Sequence, residues 1–532
     1  MYITIRNMIA TLVSAILAPQ GRLQIDPMLL VQAAEVWSVI GKSSNPVWPG
    51  WDARKTPILI YFPNKQDVLI NHPHPPIGYI KYSGAVRSPI GPIYIKDGPT
   101  LKDLDGQNTS DDVGGVRTLI VADTLSNRRQ WIESLAGPFR DQPNEIQKTI
   151  DGGLFPNPYD SMVMFAHEAF HVYQDTVAKN KGANELDVLK YPSLSVENNV
   201  GFAFESDFLA EAAAASTKDE VRSAAIKWLA VRGWRRAAIP ESSARYEDGN
   251  EFSEGIAKYT EYKLLGCLQG KVPSRDMWLL QGFTGYSDLS PMRSRMIGQM
   301  KQVMRGDMDV NNDRFGASPV RFRLYFSGMG IAILLDRLGA KWNDPILKSK
   351  ATLTELVQLA VRPTSAELGE AMAALKKSSR FSELTKVKQM LAKEGEVHIR
   401  KVLSEFESSP GELVIDYSAL AKPKVGFSFT PFGVLRLNDD AAVLRLIPIR
   451  GVVGSLSVAE DGSRPVMHDQ KAKIVRFQLT TMPDLAEITA QLGSSRLENL
   501  DAKSLKLGGV VLDHLTGTLK VEGRRVVLVL RD

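Results

Sequence analysis

The chain contains very little cysteine, no long apolar run and no marked excess of one charge. Its single cysteine, Cys267, excludes an intrachain disulfide framework and a zinc site built from several thiolates. We expect Cys267 to be a small buried side chain and not a nucleophile. No stretch is long and apolar enough to predict a stable membrane span. A net charge of +5 over 532 residues, with no basic run interleaved with aromatics, gives no case for a nucleic-acid partner.

The composition is that of an ordinary globular protein, and its length predicts two to four domains. Arg6 precedes a short apolar stretch at residues 8–18 that suits the core of a signal peptide, so we expect export to the periplasm or the extracellular space. The alternatives are a first helix packed on the body of the protein and a cytoplasmic location.

Residues 162–175 carry the strongest functional signal, an H-E-x-x-H motif formed by His167, Glu168 and His171. Side chains four apart share one face of an α-helix, so the two imidazoles can bind one metal ion while Glu168 reaches a water beside it. The alternative is a helix that carries two histidines by chance. The mainly apolar residues around the motif favour a buried helix, in which a histidine pair needs a partner.

A second segment, at residues 251–262, supplies two carboxylates seven residues apart. Glu254 and Glu261 would share a helix face, and Gly255 removes bulk where this helix approaches a neighbour. A carboxylate as third ligand leaves one coordination position for water, and Glu261 could accept a hydrogen bond from a ligand histidine. Glu205 and Glu211, on a preceding helix, are weaker alternatives as ligands.

H-E-x-x-H followed by E-G-x-x-x-Y-x-E resembles the gluzincin zinc peptidases, particularly the aminopeptidase N and glycyl aminopeptidase branches. The resemblance implies one Zn²⁺ per chain, held by His167, His171 and Glu254. It also implies that Glu168 is the general base and that Glu261 is the carboxylate that orients a ligand histidine. The implied catalytic fold is a mainly helical, zincin-like domain.

A third segment, residues 324–337, resembles the Y-x-K-G helix of that family and gives Tyr325 the role of stabilising the oxyanion. Ser327 stands where the family has lysine, the spacer between His171 and Glu254 is longer than in aminopeptidase N, and no G-x-M-E-N element occurs. In the family that element binds the free N-terminus of a substrate, so its absence puts aminopeptidase specificity in doubt. The resemblance covers roughly residues 160–337.

The remaining patterns predict an α+β multidomain fold. After the candidate signal peptide (1–18) we expect an N-terminal α/β region with a small sheet (19–150), a helical zinc catalytic domain (151–405) and a C-terminal antiparallel β-sandwich or barrel (410–532). The first helix should begin at Asp26, as its N-cap. We interpret the other histidines of these end regions as turn, structural or exposed residues and not ligands: His72, His74, His468 and His514.

Our first hypothesis is therefore a zinc-dependent hydrolase, a peptidase acting on peptide or protein substrates. Two alternatives remain: a binding or structural protein that keeps the fold without catalysis, and a zinc hydrolase of a non-peptide amide or ester. Substrate specificity, oligomeric state and the role of the C-terminal domain do not follow from the sequence.

Overall fold

The computed structural model describes residues 22–42, 44–98, 108–123, 157–306, 314–430, 433–438 and 440–531. The candidate signal peptide lies outside these residues. The chain divides into two compact units, each assembled from separate segments. The first contains the described residues up to Asn180, with Ile256–Met296 and Asn343–Lys350; the second contains Lys181–Gly255, Ile297–Trp342 and the chain from Ala351 onward.

Thirteen α-helices occur in the described residues, and the predicted α+β multidomain class is confirmed. They are α1 (Pro27–Ile40), α2 (Pro158–Val177), α3 (Val196–Ala214), α4 (Lys218–Arg236), α5 (Glu241–Asn250), α6 (Ile256–Leu268), α7 (Ser290–Arg305), α8 (Ala317–Arg337), α9 (Asn343–Lys348), α10 (Leu353–Val361), α11 (Ser365–Lys377), α12 (Ser379–Glu407) and α13 (Leu485–Leu492). A π-helical segment, Glu251–Gly255, joins α5 to α6. None of the described helices has the length and apolarity needed to cross a membrane.

The first unit contains a six-stranded sheet in the order β3-β4-β2-β1-β6-β5, in which only β1 and β6 run parallel. Its strands are β1 (Ile58–Phe62), β2 (Gln66–Ile70), β3 (Ile80–Lys81), β4 (Ile93–Asp97), β5 (Thr109–Val113) and β6 (Val116–Ala122). Strand β1 is apolar and buried along its whole length because both of its faces are covered. Helix α1 begins as predicted, with the Asp26 carboxylate accepting a hydrogen bond from the Met28 N–H.

The second unit contains an eleven-stranded sheet that curls into a half-barrel. Its strands are β7 (Gly411–Asp416), β8 (Val425–Phe427), β9 (Val434–Arg436), β10 (Ala441–Leu444), β11 (Arg450–Val453), β12 (Leu456–Glu460), β13 (Val466–Asp469), β14 (Ile474–Leu479), β15 (Leu500–Leu507), β16 (Val510–Glu522) and β17 (Arg525–Leu530). The pairing is antiparallel except between β7 and β17, which lie side by side in parallel. Apolar side chains near the end of α12, Val402 and Phe406, pack on one face of this sheet.

Helices α3 and α4 are the two long helices that precede the π segment in the second unit, and each begins at a capping residue. Helix α3 is capped by Ser195, whose hydroxyl accepts from the Asn198 N–H. Helix α4 begins with a capping box in which Thr217 and Glu220 each accept a backbone hydrogen bond from the other. The two caps, and not the apolar spacing, set where these helices begin.

Candidate metal centre

The H-E-x-x-H motif lies in the second half of α2, which packs against α1 and α6 in the first unit. Phe170, on the same helix, contacts the rings of Trp48 and Trp51 at centroid distances of 4.9 and 5.2 Å. The His167 and His171 rings lie one turn apart, with centroids 4.8 Å from each other. Close apolar packing therefore fixes the helix, and the 3.6-residue repeat places both imidazoles on one face.

Hydrogen bonds determine which nitrogen of each imidazole carries the proton. His167 Nδ1 lies 2.7 Å from Glu261 Oε1, and His171 Nδ1 lies 3.1 Å from Gln174 Oε1. Each oxygen can only accept in such a pair, so each Nδ1 donates its proton and each Nε2 carries the lone pair. A histidine that binds a metal through Nε2 needs this tautomer.

Glu261 is buried, yet it remains in its charged form near neutral pH. Burial favours the neutral acid, but the Lys258 ammonium and the hydrogen bond with His167 outweigh it and lower the pKa of Glu261. Its second oxygen, Oε2, accepts from Lys258 Nζ at 2.7 Å. The carboxylate is therefore held at both oxygens and orients the His167 ring.

Glu254 lies in the π-helical segment, which continues without a break into α6. This continuous helix carries Glu254 and Glu261 about two turns apart. One possible ligand atom from each of His167, His171 and Glu254 lies within 4.8 Å of the others, a spacing that one metal ion could fill. We call these three residues the metal group. π-Helical turns are rare and often mark functional positions. We interpret the turn here as the feature that sets the direction of Glu254.

In the second unit, Arg321 and Tyr325 of α8 contact Glu254. Arg321 Nη2 donates to Glu254 Oε1 at 3.0 Å, and its Nη1 donates to Glu185 and to Asn250 Oδ1. The Tyr325 hydroxyl is hydrogen-bonded to Glu254 and to Arg321. Burial, reinforced by the Glu254 charge, raises the pKa of Tyr325 well above its usual value, so this hydroxyl keeps its proton near neutral pH.

Helix α8 crosses the π segment at a pair of glycines. A Cβ on Gly255 would lie 2.5 Å from the Gly328 Cα, and a Cβ on Gly328 would lie 2.5 Å from the Glu251 carbonyl oxygen. Only two residues without side chains permit this backbone contact. The prediction that Gly255 removes bulk at a close approach is confirmed, and the contact fixes the distance between Tyr325 and Glu254.

Glu168 is half-buried, and among the described residues its side chain has no hydrogen bond or ion pair. The carboxylates proposed as alternative ligands are occupied elsewhere. Glu205 is fully buried between Arg232 and Arg235, and Glu211 pairs with Lys227. Neither belongs to the histidine group found in the described chain, which contains Glu254.

The histidines of the end regions take structural or exposed positions. His72 is buried, with Nε2 2.8 Å from the Val113 carbonyl oxygen, and its Nδ1 accepts from the His74 N–H. His468 Nε2 lies 2.8 Å from the Tyr417 hydroxyl in the C-terminal sheet. His514 is exposed and adopts a left-handed backbone conformation, with φ of 59°. None of these four histidines belongs to the group of possible metal ligands found in the described residues.

Three residues of this site were missed from the sequence: Gln174, Lys258 and Arg321. Each could have been found by helical spacing. Gln174 follows His171 by three positions, Lys258 precedes Glu261 by three, and Arg321 precedes Tyr325 by four. Residues so spaced are neighbours on a helix surface. Glu185, in contrast, is far from Arg321 in the chain, and no sequence pattern indicates their contact.

The donor set of this group suits a zinc ion. Two neutral imidazoles and one carboxylate are ligands that Zn²⁺ accepts, and three protein ligands are the number found in catalytic zinc sites. Glu261 supplies the carboxylate–histidine contact typical of such sites. Comparisons with protein-family models, with curated proteins and with solved structures found no match to this chain.

Proposed function

We propose that this protein is a zinc-dependent hydrolase that cleaves amide bonds in peptides. The observation that carries the proposal is the grouping of His167, His171 and Glu254, whose possible ligand atoms lie within 4.8 Å of one another. The Glu261 hydrogen bond to His167 supports it, because that contact selects the tautomer that a metal ligand needs.

Zinc, when bound, lowers the pKa of a coordinated water to about 7 and polarises the carbonyl of the substrate. The chain's own residues then perform the proton transfers. Glu168, which follows the ligand His167 on α2, takes the proton of the attacking water and passes it to the leaving nitrogen. Tyr325, whose pKa is raised by burial, donates its hydroxyl proton in a hydrogen bond to the developing oxyanion.

The substrate class rests on the motif resemblance to gluzincin peptidases. The same groups could hydrolyse a non-peptide amide or an ester, because Glu168 and Tyr325 would serve an attack of water on either carbonyl in the same way. Peptides are the first substrates to test. A library of mixed peptides with blocked and unblocked termini would separate endopeptidase from exopeptidase activity.

One observation favours a second candidate function, a metal-binding or scaffold protein without hydrolytic activity. The Glu254 carboxylate already accepts a charge-assisted hydrogen bond from Arg321, at 3.0 Å. Such a bond reduces the charge that this oxygen can offer to a metal ion. In this alternative the Arg321 pair is the resting state of the site, and cleavage of peptides does not occur.

The test compares wild type, Glu254→Ala and Glu168→Gln. We expect about one zinc per chain in wild type by mass spectrometry, a large loss in Glu254→Ala, and full occupancy in Glu168→Gln. Peptide cleavage should be chelator-sensitive in wild type and nearly absent in Glu168→Gln, because only the base is lost. A fully active Glu168→Gln would refute the mechanism. Zinc binding without cleavage of any peptide, amide or ester would favour the second candidate.

A further inference from the structure

The second unit contains a network of fully buried charged side chains, which we call the buried ion network. Its five members are all 0–1% exposed: Glu205, Arg232, Arg235, Glu247 and Glu251. Arg235 binds Glu205 and Glu247, while Arg232 binds Glu205 and Glu251. The network therefore joins α3, α4 and α5 to the first residue of the π segment.

Glu251 is the member that connects this network to the metal group. It is the first residue of the π segment, three positions before Glu254. Its Oε2 accepts from Arg232, and its Oε1 accepts from the buried Ser327 hydroxyl at 2.5 Å. Two different helices, α4 and α8, thus hold one carboxylate, and both contacts are charge-assisted.

These contacts act where the backbone departs from α-helical geometry. A π turn bonds residue i to i+5, so one extra residue is accommodated relative to an α turn. Relaxation to α geometry would change the direction of every side chain beyond the turn by about 100°. Whether Glu254 points to the histidine pair therefore depends on keeping this turn.

Stability alone is a weak reason for such a network. Buried ion pairs recover little more than the cost of removing their charges from water, and apolar residues of similar size often serve as well. A carboxylate held by two donors does fix a direction, because each hydrogen bond restricts the angle of the group. The specific contribution of Glu251 is therefore the direction that its two hydrogen bonds impose on the start of the π segment.

We propose that Glu251, held by Arg232 and Ser327, is a positioning residue that keeps Glu251–Gly255 π-helical and thereby directs Glu254 to His167 and His171. The proposal rests on the proposed function for the identity of the metal. It also explains why Ser327 stands where the Y-x-K-G motif has lysine. At position 327 the small side chain donates to the start of the π segment and does not enter the reaction.

The test uses a matched pair of variants, Glu251→Gln and Glu247→Gln. Both remove one charge from the buried ion network at an equally buried position, but only Glu251 belongs to the π segment. We expect both to lower the thermal midpoint. Glu251→Gln should weaken zinc affinity at least tenfold in a competition titration. A loss of this size is comparable to that caused by removing a carboxylate that orients a metal ligand. Glu247→Gln should stay within about twofold of wild type.

A milder variant covers the case in which Glu251→Gln does not fold. Ser327→Ala removes a single donor to Glu251, and we expect a smaller loss of zinc affinity in the same direction. Equal zinc affinities of wild type, Glu251→Gln and Ser327→Ala would overturn the proposal, as would an equal loss in Glu247→Gln.

A metal-independent measurement separates this proposal from the proposed function. In crystals of metal-free Glu251→Gln, or of Ser327→Ala, we expect residues 251–255 to lose the π turn. A π turn unchanged in both variants would overturn the positioning role even if wild type binds zinc. Absence of zinc binding by wild type would refute the proposed function, while the crystal structures would still decide the role of Glu251.

Discussion

Substitution of Gly255 by alanine tests the helix crossing that brings α8 to the π segment. The added Cβ would lie 2.5 Å from the Gly328 Cα and 3.0 Å from the Leu324 carbonyl oxygen. Both are backbone atoms, so the methyl group cannot be accommodated by rotation of a side chain, and the two helices must separate. Overpacking of this kind costs about 1–3 kcal/mol. We expect Gly255→Ala to lower the thermal midpoint and to reduce turnover, because Tyr325 and Arg321 move away from Glu254.

The control for this variant is Gly233→Ala, also at a helical glycine of the second unit. A Cβ on Gly233 meets no heavy atom within 4 Å. Alanine is the better helix former by about 1 kcal/mol, so this variant should be as stable as wild type or more stable. Thermal unfolding of the three proteins side by side measures both effects. If Gly255→Ala were as stable as Gly233→Ala, the close crossing would be refuted.

Two further predictions concern carboxylates whose pKa values are lowered. Glu261→Gln removes the charge that accepts from His167 Nδ1, and we expect zinc affinity to fall about 10–100-fold in a competition titration, whereas unchanged affinity would exclude the orienting role. Glu247 is fully buried, but the charges of Arg235 and Arg236 outweigh burial and lower its pKa from 4.5 to about 2. A carboxylate whose pKa is lower in the folded state than in the unfolded state stabilises the fold at pH values above its unfolded-state pKa. We therefore expect the free energy of unfolding to fall by about 3 kcal/mol as the pH falls from 4.5 to 2. Urea unfolding across that range should show a steeper loss in wild type than in Glu247→Gln, and equal slopes would contradict the assignment.

Some strands carry a local signal in the sequence and others carry none. Strands such as β1 and β17 are β-branched runs bounded by turn residues, a pattern that predicts a strand. Strand β5 (Thr109–Val113) is mostly polar and only its last residue is buried. Strand β15 (Leu500–Leu507) carries its charges on an exposed face. Pairing with a neighbouring strand, and not local preference, makes these segments extended.

The candidate site likewise contains residues whose positions the sequence predicts and a backbone feature that it does not. His167, Glu168 and His171 follow from a single helical repeat, so their geometry was predictable. Glu254 was identified by its spacing from Glu261, but the π turn that carries it was not. That turn depends on the Gly255–Gly328 crossing and on contacts of Glu251 with two other helices, which no short segment of sequence encodes.

The Glu254–Arg321 pair is compatible with the proposed metal ion. Arg321 Nη1 also donates to Glu185 and to Asn250 Oδ1, so the positive charge of Arg321 is shared and does not belong to Glu254 alone. In the proposed function Arg321 then holds Glu254 as Lys258 holds Glu261, by a charge-assisted hydrogen bond to the carboxylate.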